Sequence, residues 1–102
     1  MKNMGQLMQQ AQQMQVKMAA LQKELDAKII ETSTGGGAVK VKMNGKQEII
    51  EIKISPECVD SSDVEMLQEL VKTAVNQATS QSKEMVSNAM SKITGGLGLP
   101  GF

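Results

Sequence analysis

Residues 39–54 read Val39-Lys40-Val41-Lys42-Met43-Asn44-Gly45-Lys46-Gln47-Glu48-Ile49-Ile50-Glu51-Ile52-Lys53-Ile54, and their alternation decides the fold. Val39, Val41 and Met43 alternate with Lys40 and Lys42, and Ile50, Ile52 and Ile54 alternate with Glu51 and Lys53. That is the period of strands with one apolar and one charged face. Asn44-Gly45 between the two runs predicts a hairpin with a type I′ turn, because both residues tolerate positive φ. Upstream, Ile29-Ile30-Glu31-Thr32-Ser33 is β-branched and short, and it breaks at Gly35-Gly36-Gly37, a strand followed by a loop. A three-stranded antiparallel sheet follows.

Long helical patterns flank this sheet. Met4, Leu7, Ala11, Met14, Met18, Leu21 and Leu25 recur at alternating spacings of three and four, the seam of an amphipathic helix over about residues 2–26. Its other positions are mostly glutamine, lysine and alanine, which favour helix. After the sheet, Ser55-Pro56 ends the last strand, and Asp60-Ser61-Ser62-Asp63 offers cap chemistry, with Ser62 and Glu65 at capping-box spacing. A second helix is predicted over about residues 62–93 on Leu67, Leu70, Val71, Ala74, Ala78, Met85, Ala89 and Ile93, interrupted by polar Thr79-Ser80-Gln81-Ser82. The fold class is α+β in αβββα order: one domain over 1–94 and a flexible glycine-rich tail over 95–102.

Composition narrows the function. With 102 residues the chain holds one modest core. Histidine, tryptophan, tyrosine and arginine are absent, so most acid–base, stacking and phosphate-fork chemistry is missing. Cys58 is the single cysteine; without a histidine it makes a poor nucleophile or zinc ligand and reads as a small, partly buried apolar residue. Gly35-Gly36-Gly37 lacks the Gly-Lys-Ser/Thr continuation of a P-loop. The expectation is a protein that is not an enzyme and has no metal, cofactor or small-molecule substrate. No apolar block of signal-peptide or membrane-spanning length is present, which points to the cytoplasm and no membrane partner.

The net charge is zero, yet the charges are segregated. Residues 1–23 carry Lys2, Lys17 and Lys23 and no acid, and from Leu70 onward Lys72, Lys83 and Lys92 face only Glu84; these ends sum to +5 and the middle to −5. The helices, about 37 and 47 Å long at 1.5 Å per residue, must overhang strands of roughly 20–27 Å. Apolar arms on a sheet with an open edge leave surface uncovered, and two-fold self-association is the simplest remedy. If both ends form arms, a dimer presents about +10 there, a charge suited to a partner gripped between them.

The Met-Gln-rich first helix with Met14-Gln15 and Met18, the Val39-Lys40-Val41-Lys42-Met43-Asn44-Gly45 block, Ser55-Pro56, the Glu65-Met66-Leu67-Gln68-Glu69-Leu70-Val71 stretch and the tail Gly95-Gly96-Leu97-Gly98-Leu99-Pro100-Gly101-Phe102 together resemble the YbaB/EbfC family over almost the whole chain. The resemblance implies a tweezer-like homodimer with protruding helices. It also implies binding of double-stranded DNA at the bacterial nucleoid, a role in chromosome organisation and gene regulation, and no enzymatic activity. The chain has no arginine, so bidentate arginine contacts to guanine are not available to it.

Lys2, Lys17, Lys23, Lys72, Lys83 and Lys92 are the candidates for phosphate contact, since lysine acts as a point charge without fork geometry. Each alone reads more simply as a solvated helix residue; the case is collective. Gln6, Gln9, Gln10, Gln12, Gln13 and Gln15 fit a polar, solubilising face better than a base-reading one. Met14, Met18, Leu21, Leu25, Ile50, Ile52, Ile54, Leu67 and Leu70 are expected in core or dimer packing. Lys40, Lys42 and Lys46 form either a second basic patch or a guard against edge aggregation. The competing reading is a prefoldin-like chaperone or interaction scaffold, whose client binding would depend little on salt.

Overall fold

The computed structural model describes residues 3–96, with side-chain surroundings for residues 3–93. The elements are α1 (Met4–Ala27), β1 (Ile30–Thr34), β2 (Val39–Met43), β3 (Ile49–Ile54) and α2 (Val64–Gly96), the expected αβββα order. The strands form one antiparallel sheet in the order β1-β2-β3. α2 runs through Gly95 and Gly96, where the sequence predicts the tail to begin, and residues 97–102 of that tail lie outside the described residues.

The core follows from the alternation in β2. Val39, Val41 and Met43 are buried on the face that α2 covers, together with Cys58, Ala74 and Ala78. Two alanines at i, i+4 let the helix backbone approach closely. Thr32 and Thr34 use that approach, donating their hydroxyls at 2.8 Å to the Ala74 and Leu70 carbonyls of α2. Leu67, Leu70, Val71, Val75 and Ile30 pack partly buried around this centre. Cys58 is buried, and its thiol donates to the Ser55 carbonyl at 3.1 Å.

Two local expectations need correction. The hairpin turn is not type I′: Asn44 to Glu48 connect the strands, Gln47 N–H donates to the Asn44 carbonyl, and the positive φ of 61° falls on Gln47. This is a type I turn closed by a left-handed residue. The Asn44 side chain selects it, because its Oδ1 accepts the N–H groups of both Lys46 and Glu48. At the start of α2 the cap is Asp63, whose Oδ1 accepts the Met66 N–H at 3.2 Å. Ser62 is engaged elsewhere, donating its N–H and hydroxyl to Asp60 Oδ1. Those two donors, the backbone N–H first, hold the Asp60 carboxyl below its ordinary pKa.

The three glycines of the β1–β2 connection all have positive φ, which explains their run. Gly45 serves another purpose. A Cβ there would collide with the Leu25 carbonyl group, so the glycine lets the last turn of α1 rest on the hairpin. Leu25, 4% exposed, is the one buried apolar residue of α1.

Ile50, Ile52 and Ile54 do not belong to the protomer core. They are 53%, 40% and 40% exposed, because α2 lies across β1 and β2 and leaves β3 uncovered.

Candidate nucleic-acid interface

Three contacts fix the direction of α2 along the sheet. Leu70 lies beside Thr34, Ala74 beside Thr32, and Ser82 beside Asn44 at the hairpin turn. Beyond Ser82 the helix continues to Gly96, an overhang of about 21 Å. α1 meets the same end of the sheet through Leu25 and Gly45, and it does not pack across the strands as α2 does. The molecule is accordingly elongated, 75 × 22 × 16 Å. Both helices are therefore arms projecting from the hairpin-turn end.

One side of each arm is partly covered: Met14, Met18 and Leu21 on α1, and Met85, Val86, Ala89, Met90 and Ile93 on α2. Toward the tip of α1 this cover ends. Met4, Leu7 and Met8 are 63%, 58% and 70% exposed. From Leu25 back to Met4 the helix spans about 32 Å, roughly 10 Å more than the α2 overhang.

Lys17, Lys23, Lys83 and Lys92 are exposed on these arms; Lys2 lies outside the described residues. They do not share one face. At about 100° per residue Lys17 flanks the Met14–Leu21 stripe and Lys23 points roughly opposite it. Lys83 and Lys92 likewise flank the covered side of α2 on opposite sides. The polar faces at Gln6, Gln9, Gln10, Gln12, Gln13 and Gln15 are exposed, as a solubilising surface requires.

Lys72 is not on an arm. It belongs to the stretch of α2 lying over the sheet, between the Leu70 and Ala74 contacts, and it pairs with Glu69 at 3.3 Å. Nothing in the sequence marks where helix and sheet part, so from sequence all residues after Leu70 fall in the arm. With the boundary at Ser82, residues 1–23 and 83–102 carry +4 per chain instead of +5.

Three further lysines, Lys40, Lys42 and Lys53, lie on the outer face of the sheet, and Lys28 caps the end of α1. In register, Glu31, Lys42 and Glu51 form one row, and Ser33, Lys40 and Lys53 the next. Glu51 is shared by Lys42 at 3.7 Å and Lys53 at 3.8 Å. Lys53 was not singled out from sequence; the signal that finds it is the strand register, which the unexpected turn shifts. Lys46 is exposed on the turn itself, at the arm end.

Among the described residues no helix is long and apolar enough to cross a membrane. Comparison with known proteins agrees with the architecture. The chain is 55% identical over 102 residues to a nucleoid-associated protein of Moorella thermoacetica, covering 100% of this chain and 98% of that one. It is 58% identical over 100 residues to a nucleoid-associated protein of Desulforamulus reducens, covering 98% and 95%. Among solved structures, the uncharacterized protein HP0035 from Helicobacter pylori has the same fold, with a TM-score of 0.76 at 23% identity over 88% of this chain and 95% of that one. Residues 1–97 match the YbaB/EbfC DNA-binding family, and the chain belongs to that family.

Proposed function

We propose that this protein binds duplex DNA at the bacterial nucleoid as a homodimer, holding it by phosphate contacts from its helical arms, and that it contributes to nucleoid organisation and gene regulation. The observation that carries the proposal is that both helices leave the same end of the sheet with Lys17, Lys23, Lys83 and Lys92 exposed on them. Lysine ammonium groups on a projecting arm reach a backbone without base-specific geometry, so the grip depends little on sequence. The role is one of binding, in keeping with family membership and with relatives named as nucleoid-associated proteins.

The dimer reading draws on the uncovered β3. Ile50, Ile52 and Ile54 form an apolar row on the helix side of an edge strand with unpaired backbone groups. A second copy seated there would cover the row and remove the edge. With Glu24 counted on the arm side of Leu25, two protomers would then carry about +6 over residues 1–24 and 83–102.

The test is a titration of a short mixed-sequence duplex at several salt concentrations, alongside Lys17→Glu/Lys83→Glu. If four to six phosphates are neutralised over the dimer, log affinity falls with log salt with a slope of about −4 to −5, and the variant loses binding while keeping its dimer mass. Absence of binding even at low salt would defeat the proposal.

A further inference from the structure

On the outer face of the sheet, Lys40 and Lys53 stand directly opposite each other in the β2–β3 register. Like charges in directly opposed positions repel and weaken a sheet. Lys40 has no acidic partner among the described residues, and the one acid near Lys53, Glu51, is shared with Lys42. Ser33, the β1 neighbour of Lys40, is neutral. The two lysines line a shallow concavity of about 450 Å³ with Gly37, Ile54 and Ser55. Gly37 leaves it open, for even a Cβ at that position would come no nearer than 3.8 Å to Lys40 Cε.

Protection of a sheet edge accounts for Lys53 on β3 but not for Lys40 opposite it. β2 is the central strand, so Lys40 guards no edge. Nor does a duplex held by the arms reach it. The arms leave from the hairpin-turn end, whereas Lys40 and Lys53 lie toward the Gly35–Gly37 end and on the face away from α2. A stretch of strand of about 10 Å and the thickness of the sheet stand between.

We propose that Lys40 and Lys53 form a second polyanion site that takes the phosphodiester backbone of a separate DNA segment, so that one dimer bridges two duplexes. Two lysines at directly opposed register positions on the rim of an open concavity suit adjacent phosphates, whose negative charge would relieve their repulsion. The inference rests on the arm reading for the first duplex, and on charge complementarity for the second.

The experiment uses the full chain and Lys40→Gln/Lys53→Gln, with Lys17→Glu/Lys83→Glu beside them. One assay follows anisotropy of a short fluorescent duplex; the other measures capture of that duplex on beads bearing an unlabelled one. The Lys40/Lys53 variant should bind the single duplex within about twofold of the parent but capture the second at least about tenfold less. Both substituted side chains are on the solvent face, and its melting temperature should stay close to the parent's, since the variant loses the Lys40–Lys53 repulsion together with the exposed Lys53–Glu51 pair. Unchanged capture by this variant, or a parent that binds one duplex and captures none, overturns the proposal. If this variant loses single-duplex binding and the Lys17/Lys83 variant does not, the arm reading fails and the outer face is the primary site, so the second-site inference is overturned too. A parent that binds no duplex removes both. Unchanged capture combined with lost binding to phosphatidylglycerol vesicles would assign the pair to an anionic membrane surface instead.

Discussion

Ser82 Oγ donates a 2.6 Å hydrogen bond to the Asn44 carbonyl and accepts one of 2.9 Å from Gln47 Nε2. Ser82 is fully buried, so this hydroxyl is where α2 is tied to the hairpin turn before it leaves the sheet. Ser82→Ala removes one of two partners from each group, since the Asn44 carbonyl still accepts the Gln47 N–H and the Gln47 amide still donates to the Gly45 carbonyl. The expected cost is about 1–2 kcal/mol, read as a lower midpoint in urea unfolding with an unchanged slope. An unaltered midpoint would mean that water or a rearranged Gln47 replaces the hydroxyl.

Gly45 carries the matching contact for α1. Its φ is not among the positive ones, so the demand for glycine here is one of space: a side chain would meet the Leu25 carbonyl and the Asp26 nitrogen. Gly45→Ala must push helix and turn apart, at an expected cost of about 1–3 kcal/mol. Thermal melting should show it. Gly36→Ala is the contrast, since open space surrounds Gly36 and only its positive φ of 68° resists an alanine.

The period-two run of β2 was legible because it records one buried face, whereas the three-four seam of α1 gave the helix but not its cover, since only Leu25 of that seam is buried and Met4 and Leu7 are exposed. What could not be read were features made by two segments meeting. The polar stretch Thr79–Ser82 weakens the helix pattern, yet Ser82 is buried because the hairpin turn supplies its partners. A two-residue Asn44-Gly45 turn would set Lys40 opposite Ile49; the longer connection and the irregularity at Lys42/Met43 set it opposite Lys53. Lys72 and Lys83 look alike in the sequence. Only the contacts of Thr34, Thr32 and Asn44 with α2 place one over the sheet and the other past it.

Ile52→Lys/Ile54→Lys tests the β3 face as the dimer seam. Closing their residual exposure is worth about 1 kcal/mol per isoleucine, gained in both protomers at once. Charges there should convert the dimer to monomer in sedimentation equilibrium while the far-ultraviolet circular dichroism stays helical. The salt slope of DNA binding should fall to about half, because one protomer brings half the phosphate contacts. A dimer mass that survives the double substitution would move the seam to the exposed Met4, Leu7 and Met8 side of α1.

Lys72 and Lys83 separate an arm interface from a general basic helix. Lys83 directly follows the last residue of α2 anchored to the turn, and it is exposed. Lys72 is held over the sheet and paired with Glu69 at 3.3 Å. If the arms make the phosphate contacts, Lys83→Gln removes one contact per protomer and should flatten the salt slope by about 2 for the dimer. Lys72→Gln should leave slope and affinity within about twofold, since an exposed ion pair of this kind contributes little and its lysine faces no bound phosphate. Equal losses from the two substitutions would place the duplex along the sheet-backed half of α2 as well. In that case the boundary at Ser82 would describe the fold without limiting the binding surface.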